Sequence, residues 1–262
     1  MQISADLLDY FSTDFIFAYI LIATRIGGAI AFLPGFGEGY ITLQAKVALV
    51  LAITMVMAPV LESKIPAMPP ATIQAALLLG AEFMIGAFLG LLARLIYIAL
   101  EVGGMIIAFQ LSLGNATVFN PAMATQGSVV SVFLVITGGV LLFATNMHHL
   151  MLLTVLDSYT LFEPGISFPT GDMADFFART LSNSFVLAVQ MASPFLVIGL
   201  VFYAAMGLLG RLMPQIQVFF LAIPLQSMLG FFVLFLIITA LFTWFLTSFE
   251  NTLEGLLDVN SF

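Results

Sequence analysis

The chain has 262 residues, of which 62% are hydrophobic and only 8% are charged. Soluble domains carry about 25% charged residues, so this composition excludes an ordinary soluble protein. The formal net charge of −8 excludes the basic surface that nucleic-acid binding needs. The absence of cysteine excludes disulfides, thiolate metal sites and cysteine nucleophiles.

Six apolar segments along the chain approach or exceed the roughly 20 residues that cross a membrane. They cover 15–33, 45–60, 71–100, 127–156, 180–209 and 218–248. The last four run about 30 residues, or roughly 45 Å as helices, so we expect each to tilt, kink or extend beyond the membrane. The sequence therefore predicts an all-α, polytopic membrane protein of about six long, kinked helices.

A polar stretch at 101–126 interrupts the apolar pattern between the third and fourth segments. It is too polar for a lipid-facing helix and too apolar for a solvent loop. Irregular backbone at membrane depth persists only where protein or a cavity surrounds it, so we predict a re-entrant or internal loop here. Phe109 and Phe119 lie towards its ends, and Met105 and Met123 could help to seal a constriction. The alternative for the segment is an ordinary extramembrane loop. The alternative for the two methionines is a position in the protein core.

Charged residues inside or beside the apolar segments form a second group of candidates. They are Arg25, Glu82, Arg94, Glu101 and Arg211. Such charges mark ion pathways or form pairs between helices or subunits. No series of Asp, Glu or His at helical spacing builds a relay, which favours pairing that fixes the assembly. Gly86 and Gly90 form a GxxxG step, which predicts close helix packing.

Near the C-terminus, the stretch 207–230 places polar residues and prolines between two apolar runs. The residues concerned are Arg211, Pro214, Gln215, Gln217 and Pro224. Proline breaks the backbone hydrogen-bond ladder unless protein or water satisfies the freed groups. We therefore predict a broken helical hairpin that is buried in an assembly or lines a path.

No catalytic or metal-binding motif is visible. The nucleophile elbow, the HExxH helix and the P-loop are missing. His148 and His149 are adjacent, and successive helical residues point about 100° apart, so they do not chelate one metal from one helix. We expect a protein that is not an enzyme and that holds no cofactor or metal. A small-solute transporter, another channel subunit and an intramembrane enzyme are the alternatives.

Several motifs together resemble the FliR/SctT family of type III export-gate proteins, over essentially all 262 residues. One is the run from Gly207 to Gln215, followed by Phe219 and Pro224. A second motif runs from Gly104 to Pro121. A third consists of Asn146 and His149, which precede residues 157–159. A fourth is the spacing of Arg25, Pro34, Lys46 and Pro59. Two departures are Leu111, where the family usually has Gly, and Ala222-Ile223-Pro224, where it usually has Gly-Phe-Pro.

The resemblance implies a single export-gate domain over 1–262, with a FliP-like part at about 1–175 and a FliQ-like hairpin and tail at about 176–262. It implies a helical complex with FliP and FliQ, with FlhB at the entrance and with FlhA and the export ATPase complex nearby. The cargo would be unfolded flagellar proteins. The location would be the bacterial inner membrane, within the flagellar basal body, partly above the bilayer on the periplasmic side. Lipid is a further contact, and nucleic acid is not a partner.

The resemblance also implies that residues 103–126 form a plug inside the pore. Gly103, Gly104 and Gly114 would then supply backbone freedom for opening. The plug residues would be Phe109, Gln110, Leu111, Gly114, Phe119, Pro121, Met105 and Met123. Assembly and structure would depend on Arg211, Pro214, Gln215, Pro224, Arg25, Glu82, Arg94, Glu101, Gly86 and Gly90.

Overall fold

The computed structural model describes residues 13–61, 64–113, 128–165, 170–213 and 218–257. Its long elements are all α-helices, and the described residues contain no β-strand. The helices are α1 (Thr13–Phe32), α2 (Leu43–Leu61), α3 (Thr72–Gln110), α4 (Val129–Ala144), α5 (Met147–Leu161), α6 (Thr170–Leu212) and α7 (Val218–Leu257).

The helices confirm the predicted all-α polytopic architecture. Five of those described are long and apolar enough to cross a membrane, and α4 with α5 adds a sixth span if that broken pair counts as one. Helix α6 has 43 residues and α7 has 40. At 1.5 Å per residue each is roughly 60 Å long, about twice the thickness of the hydrocarbon core.

The segment predicted at 127–156 is two helices rather than one. The side chain of Ser128 caps α4 by accepting a hydrogen bond from the Ser131 backbone N–H. Between α4 and α5, Asn146 has a φ of 60°. Asparagine tolerates this left-handed conformation better than most residues, and one such residue is enough to end a helix.

The chain divides into two compact units. Unit 1 consists of Met1–Arg94, Asn146–Ala178 and Glu250–Phe262, and unit 2 consists of Leu95–Thr145 and Arg179–Phe249. The assignment of a FliP-like part and a FliQ-like hairpin stays a prediction.

Glycines bring the backbones of α1 and α3 into contact in unit 1. A Cβ on Gly28 would lie 2.6 Å from the Phe83 carbonyl oxygen, and one on Gly90 would lie 2.5 Å from the Ala29 carbonyl oxygen. A Cβ on Gly86 would collide with the carbonyl oxygen of Arg25. The Gly86 and Gly90 step therefore lies where two helices meet too closely for any side chain.

Glycines also lie at the helix contacts of unit 2. A Cβ on Gly104 would lie 2.5 Å from Ser131 Cα on α4, and one on Gly103 would lie 3.2 Å from the Ala188 carbonyl oxygen on α6. Both glycines are inside the continuous helix α3. The expectation that they belong to an irregular loop and give it freedom to open is therefore corrected: their missing side chains admit neighbouring helices.

Candidate functional site

A buried ion pair joins α1 to α3 in unit 1. Arg25 Nε donates to Glu82 Oε2 at 2.5 Å, and Arg25 Nη2 donates to Glu82 Oε1 at 2.9 Å. The two side chains are 0% and 1% exposed. Two parallel charge-assisted hydrogen bonds fix the orientation of both groups, as a single contact would not.

The end of α5 completes the surroundings of Arg25. Nη1 donates to Ser158 Oγ at 3.2 Å, and Nη2 also donates to the Phe162 carbonyl oxygen at 2.8 Å. The guanidinium carbon lies 3.9 Å from the ring centroid of Tyr159. Burying two charges costs several kcal/mol unless the geometry is good and the remaining donors are satisfied. Here they are largely satisfied, so the cluster connects three helices of unit 1.

A second ion pair fixes the Gly- and Pro-rich turn after α1. Arg94 Nη1 pairs with Glu38 Oε1, and both side chains are partly exposed. Lys46 Nζ donates to the Gly37 carbonyl oxygen at 2.8 Å. Arg94 on α3 therefore binds the turn that follows α1.

The end of α3 is the second candidate site. The helix runs to Gln110, so residues 103–110 of the predicted loop are helical. Leu113 N donates to the Ala108 carbonyl at 3.1 Å, and Ser112 N donates to the Phe109 carbonyl at 3.2 Å. With Ser112 at a φ of 60°, this is a Schellman ending in which serine takes the position usually held by glycine.

Gln226 on α7 binds this helix end. It is 4% exposed. Its Oε1 accepts from Ser112 Oγ at 2.7 Å, while its Nε2 donates to the Gln110 carbonyl at 2.5 Å and to Tyr203 Oη on α6 at 3.2 Å. A helix end leaves its last carbonyls without intrahelical partners, and this amide satisfies one of them.

The neighbouring carbonyl is satisfied in the same way. Ser227 Oγ lies 2.8 Å from the Leu111 carbonyl oxygen, and it also lies 3.0 Å from the Ile223 carbonyl oxygen of its own helix. Side chains of α7 thus bind consecutive backbone groups at the end of α3. All of these residues belong to unit 2.

Leu111 is buried beside this network and lines a small cleft. The side chain is 1% exposed, and a Cβ on Gly230 would lie 2.5 Å from Leu111 Cγ. A Cβ on Gly199 would collide with the Gln110 side chain. The leucine that departs from the family pattern is therefore accommodated by Gly230 on α7, and Gln110 is accommodated by Gly199 on α6. The cleft is further lined by Phe195, Ile198, Phe202, Leu229 and Val233.

The opposite face of α3 is exposed. Glu101, Met105 and Phe109 recur every four residues and are all exposed, Phe109 by 66%. Residues four apart share one side of a helix. Phe109 therefore points away from the buried contacts that Gln110 and Leu111 make.

Of the remaining predicted site residues, the structure describes some, and the others lie outside the described residues. Arg211 is exposed near the end of α6. Pro224 lies inside the continuous helix α7, so the expectation that it helps to break the hairpin is corrected. Those that lie outside the described residues are Gly114, Phe119, Pro121, Met123, Pro214 and Gln215.

Sequence reasoning missed the residues that surround both sites. Ser158 and Tyr159 entered only through a family motif, and Tyr203, Gln226 and Ser227 were not singled out. The available signal for Gln226 was a polar side chain within an apolar helix, because burying an unpaired amide is costly. Its partners at the end of α3 are more than 100 residues away, as the 116-residue separation from Gln110 shows.

The histidine pair is a local feature. The rings of His148 and His149 have centroids 4.2 Å apart at an angle of 41°. No group of three or more metal-ligating His, Cys, Asp or Glu side chains occurs among the described residues.

Long apolar helices, a charged cluster at their contacts and a polar network at one helix end define the class: a multi-pass α-helical membrane protein. Residues 16–252 match the sequence pattern of a protein family that is described as "Bacterial export proteins, family 1". The chain therefore belongs to this family of bacterial export proteins.

Curated relatives agree with this family. The chain is 33% identical over 224 residues to the flagellar biosynthetic protein FliR of Caulobacter vibrioides, covering 85% of this chain and 89% of that protein. It is 26% identical over 242 residues to FliR of Bacillus subtilis, covering 90% and 92%. It is 28% identical over 153 residues to the Yop proteins translocation protein T of Yersinia pestis, covering 58% and 59%. The chain is accordingly a membrane component of flagellum biogenesis and type III protein export.

Proposed function

We propose that this chain is a core subunit of the flagellar type III export gate. With FliP and FliQ it forms the channel that passes unfolded flagellar proteins across the bacterial inner membrane. The observation that carries the proposal is the family match over residues 16–252. The match to a flagellar FliR is 33% identical over 85% of the chain, against 28% over 58% for the Yersinia translocation protein, which favours the flagellar system over an injectisome.

The helix surfaces support a role within a larger complex. Large apolar side chains such as Val186, Val201, Leu208, Phe232 and Phe235 are exposed along α6 and α7. Helices of roughly 60 Å exceed the hydrocarbon core, so lipid alone does not cover them. Extended exposed apolar surface marks an interaction site. FliP and FliQ are the proposed partners, with FlhB at the gate entrance and FlhA and the export ATPase complex nearby.

In the proposed gate, the segment that follows α3 closes the pore. Phe109 is the exposed aromatic residue at its start, and bulky aromatics close a narrow passage by filling and dewetting it. The helical part of the segment ends at Gln110, and the turn at 111–113 is fixed to α7. The proposed closing segment is therefore 114–126, preceded by Phe109 on the last turn of α3.

Replacing 114–126 by a short Gly/Ser linker tests this function. The change leaves the helix end and its contacts intact, so the assembled complex should form but should no longer hold back ions. We expect a collapse of the membrane potential in cells that express the variant complex, measured with a potential-sensitive dye. An unchanged membrane potential, with normal amounts of complex, would contradict pore closure by this segment.

A further inference from the structure

Tyr159 carries a buried hydroxyl that no described side chain or backbone group binds. The residue is 0% exposed, and its Oη has no hydrogen-bond partner among the residues that the structure describes. Leaving a buried hydroxyl unpaired is costly, and buried polar groups in native proteins are therefore almost always bonded to protein or to an ordered water molecule. Tyr159 Oη accordingly needs a partner that the described residues do not supply.

The burial of Tyr159 restricts what this partner can be. Because the side chain is enclosed within unit 1, neither a side chain of another subunit nor a lipid headgroup reaches the hydroxyl. A water molecule is small enough to occupy such a position, as long as at least two polar groups hold it. A second polar group is therefore needed near the ring.

Arg25 supplies that second group. A guanidinium carries five N–H groups. Those of Nε and Nη2 bind Glu82 and the Phe162 carbonyl, and one N–H of Nη1 binds Ser158 Oγ. The other N–H of Nη1 has no acceptor among the described residues. Since the guanidinium carbon lies 3.9 Å from the ring centroid of Tyr159, a single bridging water can connect Nη1 to the phenol oxygen.

We propose that one ordered water molecule binds between Tyr159 Oη and Arg25 Nη1. It accepts a hydrogen bond from the remaining N–H of Nη1 and forms a second hydrogen bond with the phenol oxygen. The water completes the hydrogen bonds of the guanidinium and adds a link between α1 and α5. The site lies wholly in unit 1 and does not depend on the role of the chain in export.

Tyr159→Phe tests whether the hydroxyl has a partner, because the ring and its contact with Arg25 remain and only the oxygen is lost. Loss of a bonded hydroxyl should lower the thermal unfolding temperature of the full-length chain in detergent by about 2–4 °C, whereas loss of an unpaired hydroxyl should raise it. Tyr97→Phe is the matched control, since Tyr97 is also buried and donates to the Val135 carbonyl at 2.7 Å. A rise for Tyr159→Phe, together with a fall for Tyr97→Phe, would overturn the water site.

A second background tests the link to Arg25. In the double variant Arg25→Met with Glu82→Leu, the water loses the guanidinium, so the hydroxyl of Tyr159 is left unpaired. Tyr159→Phe in this background should raise the unfolding temperature instead of lowering it. An equal fall in both backgrounds would overturn the bridge, because the partner of the hydroxyl would then be independent of Arg25.

Radiolytic labelling of the unmodified chain tests for the water directly, without any variant. X-ray irradiation splits water into hydroxyl radicals, which modify side chains in contact with bound water even where bulk solvent is excluded. We expect Tyr159 to be modified faster than Tyr97, although Tyr97 is the more exposed of the two at 5% and its hydroxyl is bound by the protein. Modification of Tyr159 at the rate of Tyr97 or below it would overturn the proposal.

Discussion

Arg25 makes its contacts with other parts of unit 1 from a fully buried position. It binds a carboxylate on α3, a hydroxyl on α5, the carbonyl that follows α5 and the face of an aromatic ring. Removing one member of such a pair leaves an unpaired buried charge, which is far more costly than removing both. Arg25 and Glu82 therefore act as one structural unit.

Arg25→Ala should destabilise the chain by about 3–5 kcal/mol, because Glu82 stays buried without its partner. The double variant Arg25→Met with Glu82→Leu should recover most of this loss. Thermal unfolding of the detergent-solubilised protein measures both effects. Arg211→Ala is the control, since this arginine is exposed and its loss should leave the unfolding temperature of the chain unchanged. A double variant as unstable as Arg25→Ala would contradict the account.

The sequence indicated that these charges pair but did not reveal the partners. Arg25 and Glu82 are 57 residues apart, and their meeting depends on the close approach of α1 and α3. The glycine step at Gly86 and Gly90 predicted that α3 packs closely against another helix. It did not indicate that this helix is α1. Pairing between subunits was equally compatible with the sequence, and three-dimensional packing removes that ambiguity for this pair.

Among the helices, α3 shows why the sequence predicted the end of a helix too early. The sequence predicted an apolar segment ending at Leu100, because Glu101, Gly103, Gly104 and Gln110 interrupt the apolar pattern. The structure continues the helix to Gln110. Glycine lowers helix propensity, but here the contacts with α4 and α6 compensate, and Gln226 donates a hydrogen bond to the carbonyl of Gln110 at the end of the helix. Such tertiary contacts are invisible to a local pattern.

Two glycines of α3 give a matched test of this packing. A Cβ on Gly104 would lie 2.5 Å from Ser131 Cα, whereas one on Gly80 meets nothing within 4 Å. Gly104→Ala should cost about 1–3 kcal/mol through overpacking. Gly80→Ala should be neutral or should stabilise by up to about 1 kcal/mol, because alanine favours the helix. Equal unfolding temperatures for the two variants would contradict the close contact of α3 with α4.

At the scale of the whole molecule, composition and apolar segment lengths were sufficient to predict the fold class. The six predicted segments correspond to α1, α2, α3, the α4 and α5 pair, α6 and α7. The residues that form the candidate sites were harder to predict, because the hydrogen-bond network around Gln226 and the buried ion pair both depend on which helices meet. Family likeness pointed to Leu111 as a departure, and only the packing against Gly230 explains how it is tolerated.

The central claim is that this chain works as one subunit of a membrane export gate. The most direct test is native mass spectrometry of the chain co-expressed with the FliP and FliQ proteins of its own genome. We expect a discrete complex that contains all three proteins, with one or few copies of this chain. A chain that purifies alone, folded and monomeric, while FliP and FliQ are present would contradict the account and would favour a small-solute transporter.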